Sequence, residues 1–213
     1  MTTALTRRAA LAAALFTATG LVQAQSAAPL KMVVPFGPGT TTDIVARQVG
    51  EGIAGALGAA LVVENKAGAG GTIGSDLVAK APGDGRTLLM GTVGTHAINA
   101  TLVRKLPYDP LKDFVPIGLV GYTPTLLVVA ANSPLKTLAD LTAAALQPAG
   151  LTFASAGNGT SGHLAGELLG ARLNGKVVHV PYSQGGQALT DVMGGQAQFM
   201  FYHPAAVLPH MKA

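Results

Sequence analysis

Twice in this chain a short apolar run gives way to glycine and hydroxyl residues, and each time a helix-like stretch begins at once. The first instance is Val33-Val34-Pro35-Phe36-Gly37-Pro38-Gly39-Thr40-Thr41-Thr42-Asp43; the second is Phe153-Ala154-Ser155-Ala156-Gly157-Asn158-Gly159-Thr160-Ser161-Gly162. A strand that ends in such a loop and opens a helix leaves backbone N–H groups and small hydroxyls pointing past the strand end. Each junction is therefore an anion cradle, and it commits the chain to alternating strands and helices. Two cradles far apart in sequence and facing each other would hold a small carboxylate between two lobes.

The surrounding pattern agrees. Lys31–Pro35 reads as a strand, Thr42–Leu57 as a helix with Ile44, Val45, Val49 and Ile53 at helical spacing, and Ala60–Glu64 as a second strand. A loop over Ala67–Thr72, read as a plain solvated turn, opens a helix through Lys80, and Thr87–Gly91 is the next strand. This βαβαβ order predicts a parallel sheet with helices on both faces. The proline-punctuated stretch Leu106–Pro116 marks a crossing between a first lobe, 25–105, and a second, 106–213. Beyond it Ile117–Gly121 and Leu126–Ala130 read as adjacent strands and Thr137–Leu146 as a helix. Then come strand Thr152–Ala154, helix Ser161–Leu173, strand Val177–Val180, helix Gln187–Met193 and strand Gln198–Phe201. No internal repeat is evident beyond the shared loop pattern. Pro209–Ala213 offers no helix cap, and a first lobe of about three strands falls short of the usual five or six. The reading therefore expects a truncated chain with an incomplete first lobe.

Arg7 and Arg8 precede an apolar run, Ala9–Val22, that is shorter than the roughly 20 residues a membrane-spanning helix needs. With small residues at Val22-Gln23-Ala24, residues 1–24 read as an export signal cut after Ala24; Thr6-Arg7-Arg8 keeps a twin-arginine route open. Without that leader the net charge falls from +4 to 12 basic against 10 acidic residues, and the basic residues are scattered. No nucleic-acid-tracking stripe is expected. The chain has no cysteine, which excludes disulfides and thiolate metal sites.

Gly157–Gly162 matches G-x-G-x-x-G, but the acid expected about 20 residues on is replaced by Val177-Val178-His179. His163 stands where a phosphate loop needs lysine. Ser155 lacks the leading glycine of a nucleophile elbow, and no triad follows. The histidines, His96, His163, His179, His203 and His210, are read as making no i,i+4 pair with an acid, so neither a metal nor another cofactor is expected. His96 and His163 lie just past turns at strand ends, where α/β proteins bind ligands. An exported α/β enzyme, nucleotide-dependent or esterase-like and using the Gly157–Gly162 loop, remains the alternative.

Several further stretches, read together, resemble the Bug family of periplasmic solute-binding proteins, receptors of tripartite tricarboxylate transporters. They are Val63–Gly71, Gly94-Thr95-His96-Ala97-Ile98-Asn99, Lys105-Leu106-Pro107-Tyr108-Asp109-Pro110 and His179-Val180-Pro181-Tyr182, besides the two loops; the resemblance runs from Pro29 to Ala213. It implies a type II, Venus-flytrap binding protein of the periplasm, monomeric and not an enzyme, that hands a small carboxylate to membrane permease subunits. The resemblance places ligand contacts at Phe36, Gly37, Gly39, Thr40, Thr41 and Thr42 on one lobe. On the other it places them at Ser155, Ala156, Gly157, Asn158, Gly159, Thr160 and Ser161, and His96, Gln184 and Tyr202 complete the candidate set. Phe201-Tyr202-His203-Pro204 and Ser183-Gln184-Gly185-Gly186 depart from the family pattern.

Overall fold

A computed structural model describes residues 29–211, and the leader expected over 1–24 lies outside them. Strand β1 (Leu30–Val34) runs into helix α1 (Thr41–Leu57), which returns through β2 (Leu61–Asn65). Helix α2 (Thr72–Ala79) and β3 (Thr87–Leu89) follow, then a π-turn over Gly94–Ile98 and the short α3 (Asn99–Leu102). The sheet is parallel throughout in the order β2-β1-β3. Its core is Met32, Val34, Ala46 and Met90, closed by Phe36, Val45, Val49 and Ile53. The helical spacing of those last three residues is what turns α1 onto the sheet.

The second half opens with β4 (Leu126–Val128) and α4 (Leu138–Ala145) and continues β5 (Leu151–Ser155), α5 (Ser161–Leu173), β6 (Val177–Pro181), α6 (Gly185–Met193), β7 (Phe199–Tyr202) and α7 (Pro204–Met211). Its sheet runs β4-β7-β5-β6, with β4 alone antiparallel. One core, Phe153, Phe199, Leu141 and Leu151, fills one face; another, Ala188, Leu189, Val192, Met200 and Val207, fills the opposite face.

The unit β5–α5–β6–α6–β7 repeats β1–α1–β2–α2–β3. In both, the first strand sits centrally between parallel neighbours, and the last registered pairs correspond, Val34 with Asn65 and Ser155 with Pro181. This duplication of topology is not visible in the sequence beyond the loops. Two further differences concern single elements. Ile117–Gly121 forms no strand, and its apolar side chains lie exposed. The C-terminal stretch, read as abrupt and uncapped, is helix α7; Pro204 occupies its first position, where a missing N–H costs nothing.

Candidate functional site

The Thr40 side chain organises the amino end of α1. Its Oγ1 donates to the Gly37 carbonyl at 2.8 Å and accepts from the Asp43 N–H at 3.4 Å, capping the helix. Gly39, with φ 75°, turns the chain so that its N–H reaches Asp43 Oδ2 at 2.9 Å. Only glycine adopts that conformation without strain. Asp43 is buried and also takes bonds from Asn65 Nδ2 and Arg47, each at 2.9 Å. Burial is the largest single influence and would raise its pKa, but the bonds from Arg47, Gly39 and Asn65 together hold it below the ordinary carboxylate value. The Thr41 and Thr42 amides have no intrahelical partner. Thr41 Oγ1 is buried without a hydrogen bond among the described residues.

The amino end of α5 is built the same way with different chemistry. Thr160 Oγ1 donates to the Gly157 carbonyl at 2.8 Å and accepts from His163 N–H at 3.3 Å. Gly159, φ 79°, donates its N–H to His163 Nδ1 at 3.2 Å. His163 thus stands where Asp43 stands, and Glu167 takes the place of Arg47, 3.8 Å from His163 Nε2. The sequence reading missed this i,i+4 histidine–acid pair. Because Nδ1 accepts, the proton of the neutral ring sits on Nε2, facing the glutamate.

His163 stacks on His179 with ring centroids 4.2 Å apart, and His179 stacks on Phe153 and meets Ser155 Oγ at 2.6 Å. Burial, with the nearby His163, pushes the His179 pKa down to about 4. His163, Glu167 and His179 offer ligating atoms within 4.8 Å of one another. Stacked rings, however, direct their in-plane lone pairs side by side rather than to one point. The trio is not arranged as a metal centre. The Ser155–His179 pair likewise lacks nucleophile geometry. Ser155 is fully buried and is bonded to the Gly157 N–H and carbonyl as well as to the ring, so its hydroxyl serves to fix the loop.

Each loop is met by the other half. A side chain at Gly37 would land on the Gln184 carboxamide, and one at Gly186 would reach the Pro38 carbonyl at 4.0 Å, so the α1 loop faces the start of α6. Reciprocally, Gly157 lies against the Gly70 amide, Gly70 against the Asn158 carbonyl and Gly94 against the Gly159 carbonyl. The α5 loop therefore faces the start of α2. The Ala67–Thr72 loop is not a plain solvated turn, since Gly70, Gly71 and Thr72 are buried at this contact. The start of α6 lies between the cradles: beside Gly186 on the α1 side, Gly185 packs against Ala156 and beneath the Tyr202 hydroxyl.

Of the candidate residues, the Phe36–Thr42 loop, Ala156–Ser161, Gln184 and Tyr202 are gathered around this junction. Ser161 Oγ is 3.2 Å from His203 Nε2. His96 is not gathered there; it sits in an aromatic cluster with Phe114 (centroids 4.8 Å) and Tyr108, its Nδ1 2.8 Å from Thr95 Oγ1. Asn99 was missed. It is fully buried, donates to the Gly70 carbonyl at 3.2 Å, and its unpaired Oδ1 lies where a Gly159 side chain would be. Its place in the turn after β3 was the available signal. Two cavities lie elsewhere, one of about 180 Å³ by Ala130–Pro134 and one of about 250 Å³ between α1 and β2. At the junction itself the loops are in contact.

Residues 45–213 match the model of the tripartite tricarboxylate transporter family receptors. The chain is 43% identical over 173 residues, 81% of its length, to a protein of the tcbD–tcbE intergenic region of Pseudomonas sp.. It is 36% identical over 189 residues, 88% of its length, to BugT of Bordetella pertussis. It spans 51% and 58% of those two proteins. Among solved structures it superposes on a Rhodopseudomonas palustris protein with adipate (TM-score 0.82, 32% identity) and on MatC from that organism with bound malate (0.79, 34%). The periplasmic binding protein BugD matches at TM-score 0.80 and 34% identity. In each case the match covers 86% of this chain, and 62% (adipate protein, BugD) or 63% (MatC) of the other. The βαβαβ units, the paired helix starts and these likenesses agree: the chain belongs to the tripartite tricarboxylate transporter receptor family, with Bug proteins among its relatives.

Proposed function

We propose that the chain is an exported, non-catalytic receptor of the periplasm. It acts as a monomer whose lobes, 25–105 and 106–213, close on a small carboxylate, and it delivers that ligand to the membrane permease subunits of a tripartite tricarboxylate transporter. The observation that carries this reading is the meeting of the α1 and α5 amino ends with the start of α6, where Thr41 Oγ1 is buried and unpartnered. Neither loop contains lysine or arginine. An anion held there is held by main-chain amides and hydroxyls, each helix end adding about 0.3–1 kcal/mol beyond the hydrogen bonds themselves. Two relatives were solved with dicarboxylates, adipate and malate, which fits an anionic ligand. Phe36, Gly37, Gly39, Thr40, Thr41 and Thr42 face it from one side, and Ala156–Ser161 from the other.

Thermal unfolding with added adipate or malate tests this. A ligand at 100 times its Kd adds about 2.7 kcal/mol, a rise of roughly 5–10 °C for a domain of this size. Thr41→Val removes a hydroxyl with no structural partner, so the unliganded midpoint stays and the ligand-induced rise shrinks. Gly159 is a poorer probe, because its positive φ and its contact with Asn99 make any side chain there a folding defect. If no small carboxylate raises the midpoint, the reading fails.

A further inference from the structure

We propose that the start of α6, together with Tyr202, is a third cradle that takes a second carboxylate of the ligand and rejects the corresponding amide. This rests on reading the junction as a carboxylate site. Thr40 and Thr160 cap α1 and α5 with their side chains, whereas Gln184 makes no side-chain cap on α6, a helix of nine residues. The Gly185, Gly186 and Gln187 amides are therefore left as donors, without even the partial satisfaction a cap provides. The Tyr202 side chain is 6% exposed, and its hydroxyl has no hydrogen-bond partner among the described residues. It lies directly over Gly185, so closely that a Cβ at that position would collide with it. Burial pushes its pKa up to about 12, which keeps it protonated and a donor.

A phenol oxygen could accept from one of these amides, but its own hydrogen would still need an acceptor. A carboxylate satisfies both needs, because its oxygens accept from amide and hydroxyl alike. A carboxamide offers one oxygen and turns an NH₂ group toward donors. Ala156, on the α5 loop, and Pro38, on the α1 loop, flank this point, which lies beside both main cradles.

Isothermal titration of the whole chain with adipate, malate and their half-amides tests the assignment. At least one diacid is expected to bind tenfold or more tightly than its half-amide, since the bond to the charged group is lost and a donor is left unpaired. In Tyr202→Phe that ratio falls about tenfold, while in Thr41→Val both affinities drop and the ratio holds. The unliganded midpoint of Tyr202→Phe should match or exceed that of the native chain, because the change removes an unpaired buried hydroxyl. Equal binding of diacid and half-amide to the native chain, or a ratio unchanged in Tyr202→Phe, overturns the third cradle while leaving the carboxylate reading in place. Absence of binding by all four acids overturns both. The comparison on the native chain does not depend on how the variants fold.

Discussion

Asp43 and His163 do the same work with opposite chemistry, each fixing a left-handed glycine from the third position of its helix. The caps at Thr40 and Thr160 were legible from sequence, because a hydroxyl before an apolar-periodic run is a helix start. The histidine role was not, since an acceptor nitrogen replacing a carboxylate oxygen has no sequence signature. His179 gives a pH prediction. Its folded pKa of about 4 lies below the ordinary 6.5, so the unfolded chain binds a proton that the folded chain refuses. Stability is thus fully present above pH 6.5 and is lost as pH falls toward 4. His96, lowered by burial, acts in the same direction, whereas the lowered aspartates act below their ordinary value of 3.8 and Glu64 below 4.5. Thermal midpoints of His179→Gln, measured from pH 7.5 to 4, should fall less steeply than those of the native chain. An unchanged slope would assign the acid sensitivity elsewhere.

At the scale of elements, glycine spacing decides how closely helices approach the sheets. A Cβ at Gly166 of α5 would penetrate the ring of Phe153, which is fully buried. Gly166→Ala should therefore cost about 1–3 kcal/mol by overpacking, more than the roughly 1 kcal/mol it gains in helix propensity. Gly52 of α1 meets nothing within 4 Å, and Gly52→Ala should stabilise by about 0.5–1 kcal/mol. Urea unfolding of both variants checks the opposite signs. Periodicity located α1, α5 and every strand of the two repeated units to within a residue or two. It also read Ile117–Gly121 as a strand, because β-branched alternation reports suitability for a sheet and not the presence of a neighbour to pair with. Helix α7 went unread, since Pro209–Ala213 shows no capping residue and the start signal is Pro204, at the one position where proline favours a helix.

At the scale of the molecule, the segment after Phe114 leaves Val115 89%, Ile117 83% and Tyr122 91% exposed. Exposed side chains of this kind contribute little to folding but much to association. Replacing Val115 and Ile117 with lysine should leave the thermal midpoint within about 1 °C, as surface changes do, and raise the concentration at which light scattering detects association. The repeat of one unit by the other escaped the sequence because it resides in strand order and hydrogen-bond pattern, while the side chains that fill the two halves have diverged. Its consequence lies in the crossed contacts, first loop to α6 and second loop to α2. Each loop is held by the opposite half, so drawing the two halves apart breaks both contacts together.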